Sequence, residues 1–395
     1  MKKLFVLLAC VGYCYLAQAQ GAADSTGYQF TTVKELPITP VKDQFRSGTC
    51  WSFSTIAMVE AELLRMGKGT HNLSEMFIVH TNYFDKAIKY VRLHGKGNFA
   101  AGGSAEDVMH AIRDYGLVPQ EAMSGLNYGE EKHVHGELDA VTAAYVNAII
   151  KNPNRKLSTI WEKGFKGILD AYLGVIPVNF TYNGKSYTPK TFAASLGFNP
   201  NDYVSLTSYT HHAFYTPFAL EIEDNWRWDL SYNIPIDELM QVFENAINNG
   251  YTIAWGSDVS EKGFTRNGIA VVPDINFTEL SNSEQARWLG LSQKEREDQL
   301  YKLDKPGYEK IITQEMRQIA YDNYETTDDH GMLIYGIAKD QQGTKYYMVK
   351  NSWGDASKYK GMWYASEAFV KYKTMSILVH KNALSTALKQ KLGIK

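Results

Sequence analysis

Cys50, His330 and Asn351 are the residues of this chain whose types and settings could do chemistry together. Cys50 lies in Val41-Lys-Asp-Gln-Phe-Arg-Ser-Gly-Thr-Cys-Trp-Ser-Phe-Ser54, where Gln44 precedes a turn at Gly48 and a helix should begin at the cysteine. Phe53, Ile56/Ala57 and Leu63/Leu64 recur near helical spacing, and Gly67 and Gly69 end the run. A cysteine at a helix N-terminus meets free N–H groups and the positive end of the helix dipole, and both favour a thiolate nucleophile. From this stretch alone the competing reading is a small buried cysteine of the core.

A second stretch supplies the partners. Met332–Ala338 is predicted as a strand, Asp340-Gln-Gln-Gly343 as a turn, and Lys345–Lys350 as the return strand. A turn centred near 341–342 brings His330 to within two positions of register with Asn351 at the open end of the hairpin. An asparagine amide oxygen can accept the imidazole N–H and set the ring's tautomer, leaving the other ring nitrogen for a thiol. Trp353, in Asn351-Ser-Trp-Gly354, is placed to cover that hydrogen bond. A lone histidine before a strand would read as structural; the asparagine opposite reverses that weighting.

Composition limits the alternatives. Of 395 residues, 44% are hydrophobic and 21% charged, so the chain is globular and large enough for two lobes. A net charge of −2, with the signs interspersed, argues against a nucleic-acid or anionic-membrane partner. Residues 1–19 read as a cleavable signal peptide: Lys2 and Lys3, an apolar run from Leu4 to Leu16, and Ala17-Gln-Ala19 as the cleavage site. Leu7-Leu-Ala-Cys10 looks like a lipoprotein signal only superficially, because Cys10 comes early and the apolar run continues past it. Export to the periplasm or the medium is therefore expected, with no membrane insertion after cleavage. Loss of Cys10 and Cys14 leaves Cys50 alone, which excludes an internal disulfide and strengthens the catalytic reading.

The elements that must position these residues divide the chain into five spans. They are the signal at 1–19, an N-terminal segment and helical lobe at 20–135, and a mostly helical insertion at 136–235. A β-rich lobe at 236–380 and a short tail at 381–395 follow. Within the helical lobe, Asn98-Phe-Ala-Ala-Gly-Gly-Ser104 is a glycine turn leading to a helix over Ala105–Tyr115 with Ser104 as its cap. His133 and His135 with Glu130, Glu131 and Glu137 could bind a metal, but they read better as a solvated, charged lead-in to a helix. His211-His212 reads as an exposed pair. Neither a cofactor nor a metal is expected.

Gln44-x5-Cys50-Trp51, Asp329-His330-Gly331 and Asn351-Ser-Trp-Gly354 resemble, in order, the signatures of papain-like cysteine peptidases. The wide separation of Cys50 and His330, the absence of structural disulfides, and the wording Ala101-Gly-Gly, Tyr115-Gly-Leu-Val-Pro119, Tyr203-Val-Ser-Leu and Ala254-Trp-Gly-Ser-Asp-Val259 resemble the bleomycin hydrolase / aminopeptidase C branch. The resemblance implies an α+β fold with a helical lobe, a β-barrel-like lobe and a large helical insertion. It implies peptide substrates, Cys50 as nucleophile, His330 as general base and acid, Asn351 as its orienter and Gln44 as the oxyanion-hole side chain. Gly102 and Gly103 would bind substrate backbone as a short strand, and Trp353 would line the site. It further implies ring-like homo-oligomers, a homohexamer in the branch's usual form. In that branch a longer C-terminal arm ends in the cleft, and its carboxylate enforces aminopeptidase action. Here Lys381–Lys395 carries no proline or aromatic anchor, so endopeptidase or oligopeptidase action stands as the alternative. An acyl- or amide-transferring enzyme and a catalytically silent peptide-binding protein are the remaining rivals.

Overall fold

The computed structural model describes residues 27–395, so the leader expected over 1–19 lies outside the described residues. The described residues open on β1 (Phe30–Glu35) and then build the helical half from α1 (Cys50–Arg65), α2 (Glu75–Arg92), α3 (Ala105–Asp114), α4 (Gly136–Ile150) and α5 (Ile160–Leu173). A small hairpin of β2 (Phe180–Tyr182) and β3 (Lys185–Tyr187) leads to α6 (Pro189–Leu196). Then come β4 (Tyr203–Thr207), β5 (Pro217–Ala219), β6 (Leu230–Asn233), α7 (Ile236–Asn248), β7 (Ile253–Ser257) and β8 (Ile269–Ala270). Short helices at Asn282–Leu289, Gln293–Leu300 and Gln314–Asp322 precede β9 (His330–Asp340), β10 (Lys345–Lys350), β11 (Met362–Ser366) and β12 (Thr374–His380).

Local chemistry explains the starts. Ser74 Oγ accepts the Phe77 N–H at 3.0 Å and caps α2. Ser104 and Asp107 form a reciprocal capping box at α3, and Thr188 and Thr191 form another at α6, where Pro189 takes the first helical position. The mostly helical stretch expected at 136–235 is in fact mixed. After α4, α5 and α6 it returns to the main sheet as β4–β6, because Tyr203-Val-Ser-Leu-Thr207 pairs along β12.

All the larger strands join one mixed sheet in the order β5-β6-β4-β12-β7-β9-β10-β11-β8, with β1 added on β9. One edge of β9 pairs with β10 from Leu333 to Lys339. Its other edge is shared: β7 takes His330–Ile334 and β1 takes Gly336–Asp340. This sharing lets one long strand carry His330 at the end that faces the helices and close the sheet at the other.

Two apolar cores flank that junction. One gathers the helical half around Ile56, Phe77, Ile112 and Phe165, and takes Ala254, Leu333 and Leu378 from the sheet. The other lies beneath α7 and the sheet's opposite face, around Phe243, Trp255, Ile334 and Tyr347. The last helix, Thr386–Leu392, seats Leu388 and Leu392 in this second core. Between the cores α1 rests on β9 with Gly331 at the closest point, and just before α1 Gly48 packs on the glycine turn. A Cβ on Gly331 would lie 2.8 Å from Ser54 Oγ and 3.3 Å from Trp51 Cα. A Cβ on Gly48 would lie 2.6 Å from the Ala101 Cβ, with its next neighbours at 3.7 Å.

Gly48→Ala is therefore expected to cost about 1–3 kcal/mol through overpacking. Because the clash is with one methyl group, adding Ala101→Gly should recover most of the loss. Urea unfolding of the two single variants and the double variant measures this; simple additivity of the two effects would contradict the close approach.

Candidate active site

Cys50 is the first residue of α1. Its side chain stays partly accessible and opens onto a cavity of about 50 Å³ that His330, Gly103, Ala254, Gly256 and Leu378 also line. The backbone N–H groups of Gly331 and Trp51 point at its sulfur, which favours a thiolate, but desolvation dominates and pushes the thiol up to about 12. Asp224 and Asp328, both lining the same cavity, push in the same direction. The helix N-terminus alone suggested the reverse; a dry site with carboxylates nearby outweighs it.

His330 Nε2 and Asn351 Oδ1 are 2.7 Å apart, and both residues are buried, with 6% and 2% exposure. The same Asn351 oxygen accepts the Ser352 backbone N–H at 2.7 Å, which identifies it as the oxygen of the amide. His330 therefore donates from Nε2, and neutral Nδ1 is left with a lone pair. The Trp353 ring stacks over the imidazole at 4.8 Å between centroids. Trp353 remains 42% exposed, so it shields the hydrogen bond while facing solvent. Desolvation pulls His330 down to about 4 against the Asn351 bond, which raises it. The ladder itself stops at Lys350 opposite Leu333, after a bulge between Met348 and Val349. Side-chain reach rather than backbone pairing therefore closes the His330–Asn351 contact.

Gln44 is tied to the same corner. Its N–H donates to Ser352 O at 2.8 Å, Ser352 Oγ donates to Gln44 Oε1 at 2.6 Å, and Gln44 Nε2 donates to Ser47 O at 2.7 Å. The second hydrogen of that amide is left for another acceptor near the start of α1. Arg46 braces the turn by backbone bonds to His133 and from His135. These histidines, expected as a solvated lead-in, are buried instead. Their rings pack edge-to-face at 5.8 Å, and neither nitrogen of His135 has a hydrogen-bond partner among the described residues. His211 and His212 each hydrogen-bond Glu221 at 3.1 Å.

The glycine turn is held from behind. Ala101 O accepts from Trp51 Nε1 and Tyr83 Oη, each at 3.2 Å, and the buried Lys86 ammonium bonds Ala100 O and Gly102 O. Gly103 lines the cavity, whereas Asp224 covers Gly102. Asp224, Asp328, Ser352 and Lys86 carry no motif that marks them in the sequence. Asp328 could have been found as the neighbour of Asp329-His330; Asp224, far away along the chain, gave no signal.

Residues 27–163, which hold Cys50, match the papain family of cysteine proteases, and residues 282–394, which hold His330 and Asn351, match the peptidase C1-like family. The chain belongs to the papain-like cysteine peptidases. This peptidase is similar to aminopeptidase G of Lactobacillus delbrueckii subsp. lactis, at 22% identity over 89% of the chain and 83% of the relative. It is similar in the same way to aminopeptidase C of Streptococcus thermophilus, at 22% identity over 87% and 81%. Its fold matches the crystal structure of PepW from Lactobacillus rhamnosis HN001, with a TM-score of 0.69 at 19% identity, over 92% of the chain and 84% of that structure.

His80, His133, His135 and His330 are all held near 4, below the ordinary 6.5, first of all by desolvation. Between 6.5 and 4 the unfolded chain binds protons that the folded peptidase refuses, so stability should fall as pH drops through that window. His135→Leu should flatten the fall. Thermal midpoints from pH 7.5 to 4.5 test this, and an unchanged slope would contradict it.

Proposed function

We propose that the peptidase hydrolyses peptide bonds through Cys50, His330 and Asn351, acting as an aminopeptidase. The observation that carries the reading is the 2.7 Å His330 Nε2–Asn351 Oδ1 bond, which leaves Nδ1 unprotonated in the cavity that Cys50 shares. Desolvation opposes a lone charge on either group, so the resting pair is thiol and neutral imidazole. Transfer of the thiol proton to His330 Nδ1 keeps the pair's net charge unchanged, and the low dielectric opposes it far less than it opposes titration of one group.

As Sγ attacks the substrate carbonyl, the oxyanion that forms is met by the Cys50 backbone N–H and the unused Gln44 N–H, each worth about 3 kcal/mol in comparable sites. His330 then gives its proton to the leaving amine, and a water hydrolyses the thioester with His330 again as base. The aminopeptidase mode is supported by the relatives named above. Export through residues 1–19 and assembly into closed oligomers accompany this reading as proposals from sequence.

Cys50→Ala is expected to fold normally and to show no turnover; near wild-type activity would sink the mechanism. The acid limb of kcat/KM should fall near pH 4, where His330 gains its proton, rather than near 6.5. A limb at 6.5 or above would mean that the imidazole is not the desolvated base described here. A peptide with a free N-terminus should be cleaved and its N-acetylated twin spared, and equal cleavage of both would reject the aminopeptidase mode.

A further inference from the structure

A strap between Leu220 and Asp229 crosses the catalytic cavity beside the glycine turn. We infer that Asp224, carried by this strap, ends the cleft one residue beyond Cys50 and holds the α-ammonium of a peptide substrate. The inference rests on the Cys50–His330 reading and adds the group that sets where the peptide must begin.

The first support is steric. A Cβ built on Gly102 would meet Asp224 Oδ1 at 1.9 Å and Oδ2 at 2.3 Å, so the carboxylate fills the space over that glycine. The Gly103 N–H points to the same carboxylate. An extended peptide reaching past Cys50 would need both the space and the donor, and Asp224 holds both.

The second is rigidity. Trp226 Nε1 and Arg227 Nε donate to the two oxygens of Asp107 at 2.9 and 2.7 Å, and Arg227 Nη2 reaches Asp85 at 2.8 Å. Asn225 Nδ2 closes the strap on Leu220 O and Asp229 O at 3.1 and 3.0 Å, and Asn98 Nδ2 holds Glu223 O at 3.1 Å. A group pinned to the helical half from both sides is a fixed wall of the cleft and not a passing obstruction.

The third is charge. Asp224 and Asp328 line the cavity together, and no described side chain forms an ion pair or hydrogen bond with Asp328. The Lys86 ammonium is near, but it is spent on backbone carbonyls. Desolvation pushes Asp224 up to about 6, and desolvation followed by repulsion from Asp224 raises Asp328 well above the ordinary carboxylate range. The cavity lacks a cation, and the N-terminus of a peptide brings one. The last described helix does not compete for this place, since Leu388 and Leu392 are in the core of the β-rich half and Lys391 bonds Glu238 at 2.7 Å.

Asp224→Asn and Asp224→Ala separate the two roles. Each variant and the wild type are assayed on a leucyl coumarin amide with a free amine and on an N-acetyl-dipeptidyl coumarin amide, with iodoacetamide labelling of Cys50 in parallel. Asp224→Asn keeps the bulk and loses the charge, so kcat/KM on the free-amine substrate should drop about 10- to 100-fold. Asp224→Ala opens the wall, so cleavage of the capped dipeptide should rise at least about 10-fold over wild type. Variants that label like wild type yet keep its ratio of the two rates overturn the assignment of Asp224. A wild type that still hydrolyses either substrate after Cys50 is blocked overturns the Cys50 reading instead. Asp224→Asn is isosteric and decides the question alone where Asp224→Ala does not fold.

Discussion

The site depends on the start of α1 lying against the end of β9 with no side chain between them. Gly331 is the point of closest approach, facing Trp51 and Ser54, and just before α1 Gly48 packs on Ala101 of the glycine turn. The two apolar cores on either side press these elements together, and Ala254, Leu333 and Leu378 reach from the sheet into the helical core. Packing energy spread over two lobes is thereby applied to one seam.

Along that seam the polar groups form one connected arrangement. Asn351 orients His330, Ser352 joins Asn351 to Gln44, and Gln44 closes on Ser47 just before the helix that bears Cys50. The Trp353 ring stacks over the His330 imidazole. The surroundings are dry enough to keep thiol and imidazole neutral when considered singly. The carboxylates of Asp224 and Asp328 add a negative field to the resting site. An ammonium bound there would relieve that field and make the Cys50 thiolate easier to form, which couples recognition of the N-terminus to activation of the nucleophile.

The parts of this arrangement that sit close together along the chain are legible in the amino-acid sequence. The helix behind Cys50, the cap at Ser104, and the hairpin joining His330 to Asn351 all follow from local patterns. Gln44 is legible from its spacing to Cys50. What stays hidden is set by long-range placement. Asp224 reaches the glycine turn only because Arg227 and Trp226 bind Asp107 across the fold. His133 and His135 look solvated beside their charged neighbours, yet the return of the chain over the Gln44 turn buries them. The 136–235 stretch reads as an insertion because its first two thirds are helical, while β4 is recruited by β12, far later in the chain.

The central claim is that Cys50 carries the substrate acyl group. Acid-quenched turnover of a free-amine peptide ester, followed by intact mass and peptide mapping, measures it directly. The expected result is a hydroxylamine-labile adduct on the peptide containing Cys50, with the mass of a single N-terminal residue. Turnover with no adduct on Cys50 would contradict the account.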